Sequence, residues 1–318
     1  MAFTRHEDHP LPAHYALLKD EGLLHISGPD TLKFLQGQTT CDTRKVDAGH
    51  ALPGAFCTPK GRMICDFLLA QVSADHYVLR MRNDTVALAA TAFGKYIMFS
   101  KATLDGDRQD WKTVACWGEN VRSALAGLKL SVPSARYAAT SGEGYILIQM
   151  DDQGEQFEAY LDMQAFPQHF EALAQTMDAG EEEDWRTLQI ESGIGRVEAP
   201  TSGEFLPQML NYDVTGHVSF NKGCYTGQEI VARLHYRGKS KRRLYLARFG
   251  ASVPLPAGTD LFSPGTDQAN GTVVNSAAAD GGHVCLVSAT EAGVAAGLHL
   301  RGHDQALEIE PLPYTLPD

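Results

Sequence analysis

Apolar and polar positions fall in short alternating runs along most of the chain, with a few segments of helical period between them. Two apolar runs within residues 15–27 flank Asp20-Glu21-Gly22, which predicts a β-hairpin. Pro29-Asp30 then opens a helix with Leu32, Phe34 and Leu35 facing inward and Gly37 as its stop. Residues 54–57, the turn Thr58-Pro59-Lys60-Gly61 and residues 63–72 read as a second hairpin, followed by a strand over 77–81 and a helix over 84–96. The same mixture recurs in residues 111–178, with strands expected at 114–117, 145–150 and 158–161 and helices at 121–128 and 164–176. Gly180 to Asp184 reads as a charged hinge, after which Trp185, Leu188, Ile190 and Ile194 mark a helix broken by Gly193 and Gly195. Residues 211–220 read as a loop. Beyond Leu244, Gly and Pro punctuate β-prone runs at 245–249, 271–275 and 283–287, which predicts a small sandwich or barrel. The expected class is α+β, with units over residues 1–110, 111–243 and 244–318.

A length of 318 residues fits two or three such units. With 43% hydrophobic residues the chain is an ordinary globular one, and disorder is excluded. Lys and Arg number 27 against 39 Asp and Glu, a net charge of −12. That balance argues against a bulk electrostatic grip on RNA or an anionic membrane, so an anionic ligand needs a local basic patch. One exists: Arg233, Arg237, Lys239, Lys241, Arg242 and Arg243 crowd into residues 233–243. It reads equally as a solvated loop between units. The six cysteines (Cys41, Cys57, Cys65, Cys116, Cys224, Cys285) contain no C-x-x-C pair, so they read as reduced thiols with no metal site. The polar start, residues 1–12, and the lack of any apolar run near ~18 residues point to a cytoplasmic chain without a membrane span.

The most informative segment, residues 222–238, reads KGCYTGQEIVARLHYRG. Thr226 and Glu229 have the spacing of a capping box, opening a helix with Ile230, Val231 and Leu234 inward. Cys224 then lies just ahead of a helix N-terminus, where unpaired amides, and the ammonium of Lys222 if it folds back, favour the thiolate. A small buried cysteine under a glycine turn is the competing reading.

KGCYTGQE and the following VARLHYRGKSKRRLY resemble the signature of the YgfZ-type folate-binding proteins, relatives of the glycine cleavage T-protein (aminomethyltransferase). FLQGQTTCD at 34–42, GAFCTPKGRM at 54–63, FGKYIMFSK at 93–101, IESGIGRV at 190–197 and EFLPQMLNYD at 204–213 also look like that family. The resemblance implies two intertwined α+β subdomains around a central folate-binding opening, followed by a small C-terminal β-barrel. It implies tetrahydrofolate or a derivative as cofactor, and a part in iron–sulfur cluster assembly or repair, with tRNA modification an indirect consequence.

Carried onto this sequence, Glu191 becomes the acid that reads the pterin, accepting its amino group and ring N–H together. Asn83 and Tyr96 become pocket-lining residues, and Arg233 with its basic neighbours steers a polyglutamyl tail. T-proteins carry adjacent aspartates where this chain has Cys65-Asp66, so Asp66 is the one carboxylate left as a general base. Cys224 is the candidate reactive thiol, with Lys222 beside it. Three readings follow: a folate-binding accessory protein for iron–sulfur client enzymes, a folate-dependent one-carbon transferase, and a non-catalytic module stabilised by folate. The expected partners are folate and iron–sulfur proteins, with RNA disfavoured, no membrane, and a monomer by default.

Overall fold

The computed structural model describes residues 12–128, 130–250, 253–279, 281–303 and 305–316; the polar start, residues 1–11, lies outside them. Three sheets carry the architecture. The first runs Leu52–Cys57, Met63–Ser73, His76–Arg82, Glu21–Ser27 and Thr103–Asp105, in that spatial order. The second runs Asp178–Ala179, His14–Leu18, Trp111–Trp117, Gln156–Asp162, Tyr145–Gln149 and Ala139–Gly142.

Both strands expected within residues 15–27 form, but not as a hairpin. His14–Leu18 pairs antiparallel with Trp111–Trp117, whereas Glu21–Ser27 pairs with His76–Arg82. The connecting residues are held open rather than closed into a turn, because the amides of Lys19 and Asp20 donate to the Glu182 carboxylate at 3.0 and 2.8 Å. The chain therefore crosses from the second sheet to the first within two residues.

Strand alternation explains how the sheets pack. Leu68, Ala70 and Val78 of the first sheet meet Ala115, Ile148 and Tyr160 of the second in a core between the sheets. The opposite faces carry helices: Thr31–Gln38 and Val86–Ile97 on the first sheet, Val121–Gly127 and Gln168–Thr176 on the second. Phe56 stacks on Phe93 with ring centres 4.0 Å apart, fixing Val86–Ile97 to its sheet.

The helix Thr31–Gln38 runs through Gly37, where an added Cβ would meet nothing within 4 Å; it ends where Thr39, in extended backbone, returns both its amide and its hydroxyl to the Leu35 carbonyl. The helix expected from 164 starts only at Gln168, because the Asp162 carboxylate holds the amides of Gln164 and Ala165 in a turn ahead of Pro167. Within the expected hinge, Glu181 to Asp184 instead open the helix Glu182–Glu191, the Glu181 amide donating to the Asp184 carboxylate.

The third sheet runs His299–Leu300, Asp260–Phe262, Ala269–Ala279, Gly282–Thr290, Arg242–Phe249 and Glu308–Glu310. It is a curled half-barrel that ends on two short edge strands, and a bulge between Val273 and Asn275 bends its long strand. The break expected at Arg243/Leu244 falls inside Arg242–Phe249.

Candidate functional site

Charged side chains from both facing sheets meet between those sheets, the helix Glu182–Glu191 and the segment after it. Arg80 grips Glu158 through two nitrogens, each at 2.8 Å, and the Tyr160 hydroxyl donates to the same carboxylate at 3.0 Å. Glu21 faces three guanidinium groups, those of Arg82 at 3.1 Å, Arg196 at 3.3 Å and Arg80 at 3.4 Å. Arg196 Nε donates to Asp66 Oδ2, while Asp66 Oδ1 accepts the Val197 amide at 2.6 Å. Arg186 and Asn275 close the rim by donating to Glu198 at 2.7 and 2.8 Å.

Burial by itself raises the pKa of Glu21, but the guanidinium groups of Arg196, Arg80 and Arg82 outweigh it and hold the carboxylate at about 2. For Glu158, burial prevails over Arg80 and its pKa is raised.

The space left among these side chains is small. Two voids of about 30 and 20 Å³ remain, and Gln189, Ile194 and Arg196 border both. Each has room for about one water, whereas small-molecule sites are typically ~300 Å³ or more. The lining offers the carboxylates a pterin edge needs, but Arg196 fills the room: with its side chain in this position the opening does not accommodate a folate.

A second feature lies on the loop before the helix Gln228–Arg237. Cys224 is exposed, and the other five cysteines are buried. Burial raises the thiols of Cys57, Cys116 and Cys285 to about 12. The Lys222 ammonium is engaged by backbone carbonyls. Its Nζ donates to the carbonyls of Gln36 at 2.8 Å, Thr39 at 2.5 Å and Cys41 at 2.8 Å, so the ammonium clamps this loop onto the end of the first helix and the residues after it. Its burial lowers the ammonium pKa to about 8.

The capping box is absent too. The Thr226 hydroxyl donates to Gln38 Oε1 at 3.0 Å, and the helix opens on Gly227 with φ of +84°. A Cβ at Gly227 would lie 2.5 Å from the Thr58 carbonyl oxygen, so both the turn and the close approach require glycine. Of the helix's expected inward residues only Val231 is buried; Ile230 and Leu234 are half-buried.

No family model matches the chain. It is 33% identical over 312 residues to the tRNA-modifying protein YgfZ of Klebsiella pneumoniae (strain 342), an alignment covering 97% of this chain and 95% of that protein. The chain belongs to the YgfZ family. The YgfZ of Yersinia pestis (strain Pestoides F) is 32% identical over 313 residues, covering 97% of this chain and 94% of that protein. Among solved structures, the glycine cleavage system aminomethyltransferase T from Bartonella henselae superposes with a TM-score of 0.76 at 16% identity, covering 95% of this chain and 86% of that one. This member of the YgfZ family thus has the aminomethyltransferase fold.

Within it, the residues singled out from the sequence are dispersed. Asp66 lies in the opening, bound by Arg196 and the Val197 amide. Glu191 does not line it: its side chain is 40% exposed and accepts from Arg248 at 3.0 Å. Gln189, two residues earlier and so on another side of the helix, borders both voids instead. Asn83 borders a separate cleft of about 220 Å³ with Lys19 and Trp111, and Tyr96 is exposed near the end of its helix. Arg233 is exposed and makes no ion pair or hydrogen bond with the described residues. The charged residues missed by sequence reasoning include Glu21, Arg80, Arg82, Glu158 and Arg196, with Arg186 and Glu198 at the rim. Among the described residues no group of three or more His, Cys, Asp or Glu side chains could hold a metal ion, and no helix is long and apolar enough to cross a membrane.

Proposed function

We propose that this YgfZ-family protein binds tetrahydrofolate and serves as an accessory protein for the assembly or repair of iron–sulfur clusters in client enzymes, with Cys224 as its working thiol. The observation that carries the proposal is the exposure of Cys224 while the other five thiols are buried. A thiol that must meet a client protein has to be presented at the surface, on a loop fixed by a scaffold. The Lys222 clamp and the tight turn at Gly227 supply such a fixture. The aminomethyltransferase fold, and the carboxylates of Asp66 and Glu21 in the opening, support a folate ligand. The relatives' designation as tRNA-modifying proteins agrees with a client enzyme that acts on tRNA.

A one-carbon transferase using Asp66 as base is the weaker reading. Asp66 stands there as a lone carboxylate, since Cys65 takes the place of the adjacent aspartate that T-proteins carry. The test measures cluster-dependent enzyme activity in cells lacking this protein, complemented with wild type, Cys224→Ser or Cys224→Ala. Wild type restores activity and both variants fail although they accumulate as folded protein. Full restoration by the variants overturns the role of the thiol.

A further inference from the structure

We infer that Arg196 is a resident competitor for the opening, standing where the donor edge of a pterin would lie. The inference rests on the proposed folate site and concerns what admits a ligand to it. A 2-amino-4-oxopterin presents an amino group and an adjacent ring N–H, a planar pair of donors. A guanidinium presents the same kind of fork. Arg196 directs its fork at the opening's acceptors, Nε to Asp66 and the two terminal nitrogens to Glu21 at 3.3 and 3.4 Å. Its side chain also borders both voids, so one group occupies the donor position and divides the space.

The backbone around Arg196 is fixed independently of that side chain. Its amide donates to Asn275 Oδ1 at 2.6 Å, its carbonyl accepts from Asn275 Nδ2 at 3.1 Å, and the next amide is held by Asp66. Admission is therefore a side-chain exchange. When the guanidinium leaves, Glu21 retains Arg80 and Arg82 and Asp66 retains the Val197 amide, so neither carboxylate loses every partner, and each has lone pairs free for an incoming donor. The ligand class this selects is a planar heterocycle with adjacent amino and N–H donors. Wild type binds it only at the cost of expelling Arg196.

Anaerobic titration calorimetry of tetrahydrofolate into wild type, Arg196→Ala and Arg196→Lys tests the inference. Arg196→Ala is expected to bind at least about tenfold more tightly than wild type, the equivalent of one charge-assisted hydrogen bond no longer competed for. Methylguanidinium, which can refill the vacated position, should weaken folate binding to Arg196→Ala and leave wild type unchanged. Arg196→Lys keeps the positive charge without the planar fork; it serves if the alanine variant does not fold, and tighter binding is again expected. Equal affinities within twofold, or weaker binding by the variants, overturn the competitor role while leaving the folate reading standing. No binding by wild type or by any folded variant overturns both.

Discussion

Replacing Glu21 by Gln tests the charge network at its most connected residue. The side chain is 7% exposed and faces Arg80, Arg82 and Arg196, so the substitution keeps its shape and removes the shared counter-ion. Its pKa lies at about 2 in the folded protein against an ordinary 4.5. The folded state therefore favours the charged form by about 3 kcal/mol. Because the folded pKa is depressed, this stability is fully present above pH ~4.5 and is lost as pH falls through that value toward 2. Urea unfolding at pH 7 should show Glu21→Gln less stable by about 3 kcal/mol, within the range for breaking a buried pair. At about pH 3.5, one unit below the unfolded pKa, the gap should have narrowed by about 1.4 kcal/mol. A gap under ~0.5 kcal/mol at pH 7 would refute the reasoning, since that is ordinary for a surface change. So would a gap that does not vary with pH, which would mean lost packing rather than lost charge.

Lys222→Met removes the donor shared by three backbone carbonyls and should cost about 2–3 kcal/mol. Amide exchange in the segments 39–43 and 222–226 should accelerate with it, and unchanged exchange would mean that the clamp holds nothing. Native protein treated with a chromogenic thiol reagent should release one equivalent promptly, and none after Cys224→Ser; prompt release of two or more equivalents from folded protein contradicts the burial of the other cysteines. Phe93→Ala removes the ring stacked on Phe56 and should lower unfolding free energy by about 3–5 kcal/mol, read from urea midpoints at constant slope.

What the sequence revealed and what it concealed divide along physical lines. The strand Met63–Ser73 was legible as a continuous apolar run, buried on both faces, bounded by turn residues, and the helix Val86–Ile97 by the helical spacing of Val86, Ala89 and Phe93, which it buries. The hairpin at 15–27 was misread because the partner of His14–Leu18 is remote in sequence, and local turn chemistry says nothing about that. The Thr226 and Glu229 spacing misled for a similar reason: the threonine hydroxyl finds Gln38, far away along the chain. Glu191 closes its helix paired with Arg248, whereas Gln189, four residues on from the buried Trp185, borders both voids. Arg80, Arg196 and Glu158 carried no such signal, since the burial of their charges depends on partners contributed by separate strands and loops.

The transfer of the first strand to the second sheet has a consequence during synthesis. When His14–Leu18 emerges from the ribosome its antiparallel partner Trp111–Trp117 has not been made; about 100 further residues, at ~5–20 per second, take roughly 5–20 seconds. Through that interval the strand's pairing edges stay open to any other chain, whereas the neighbouring Glu21–Ser27 gains its partner His76–Arg82 before the interval ends. A nascent chain stalled before Trp111 therefore displays an adhesive N-terminal edge, and slow codons in that stretch should make this protein more dependent on ribosome-associated chaperones.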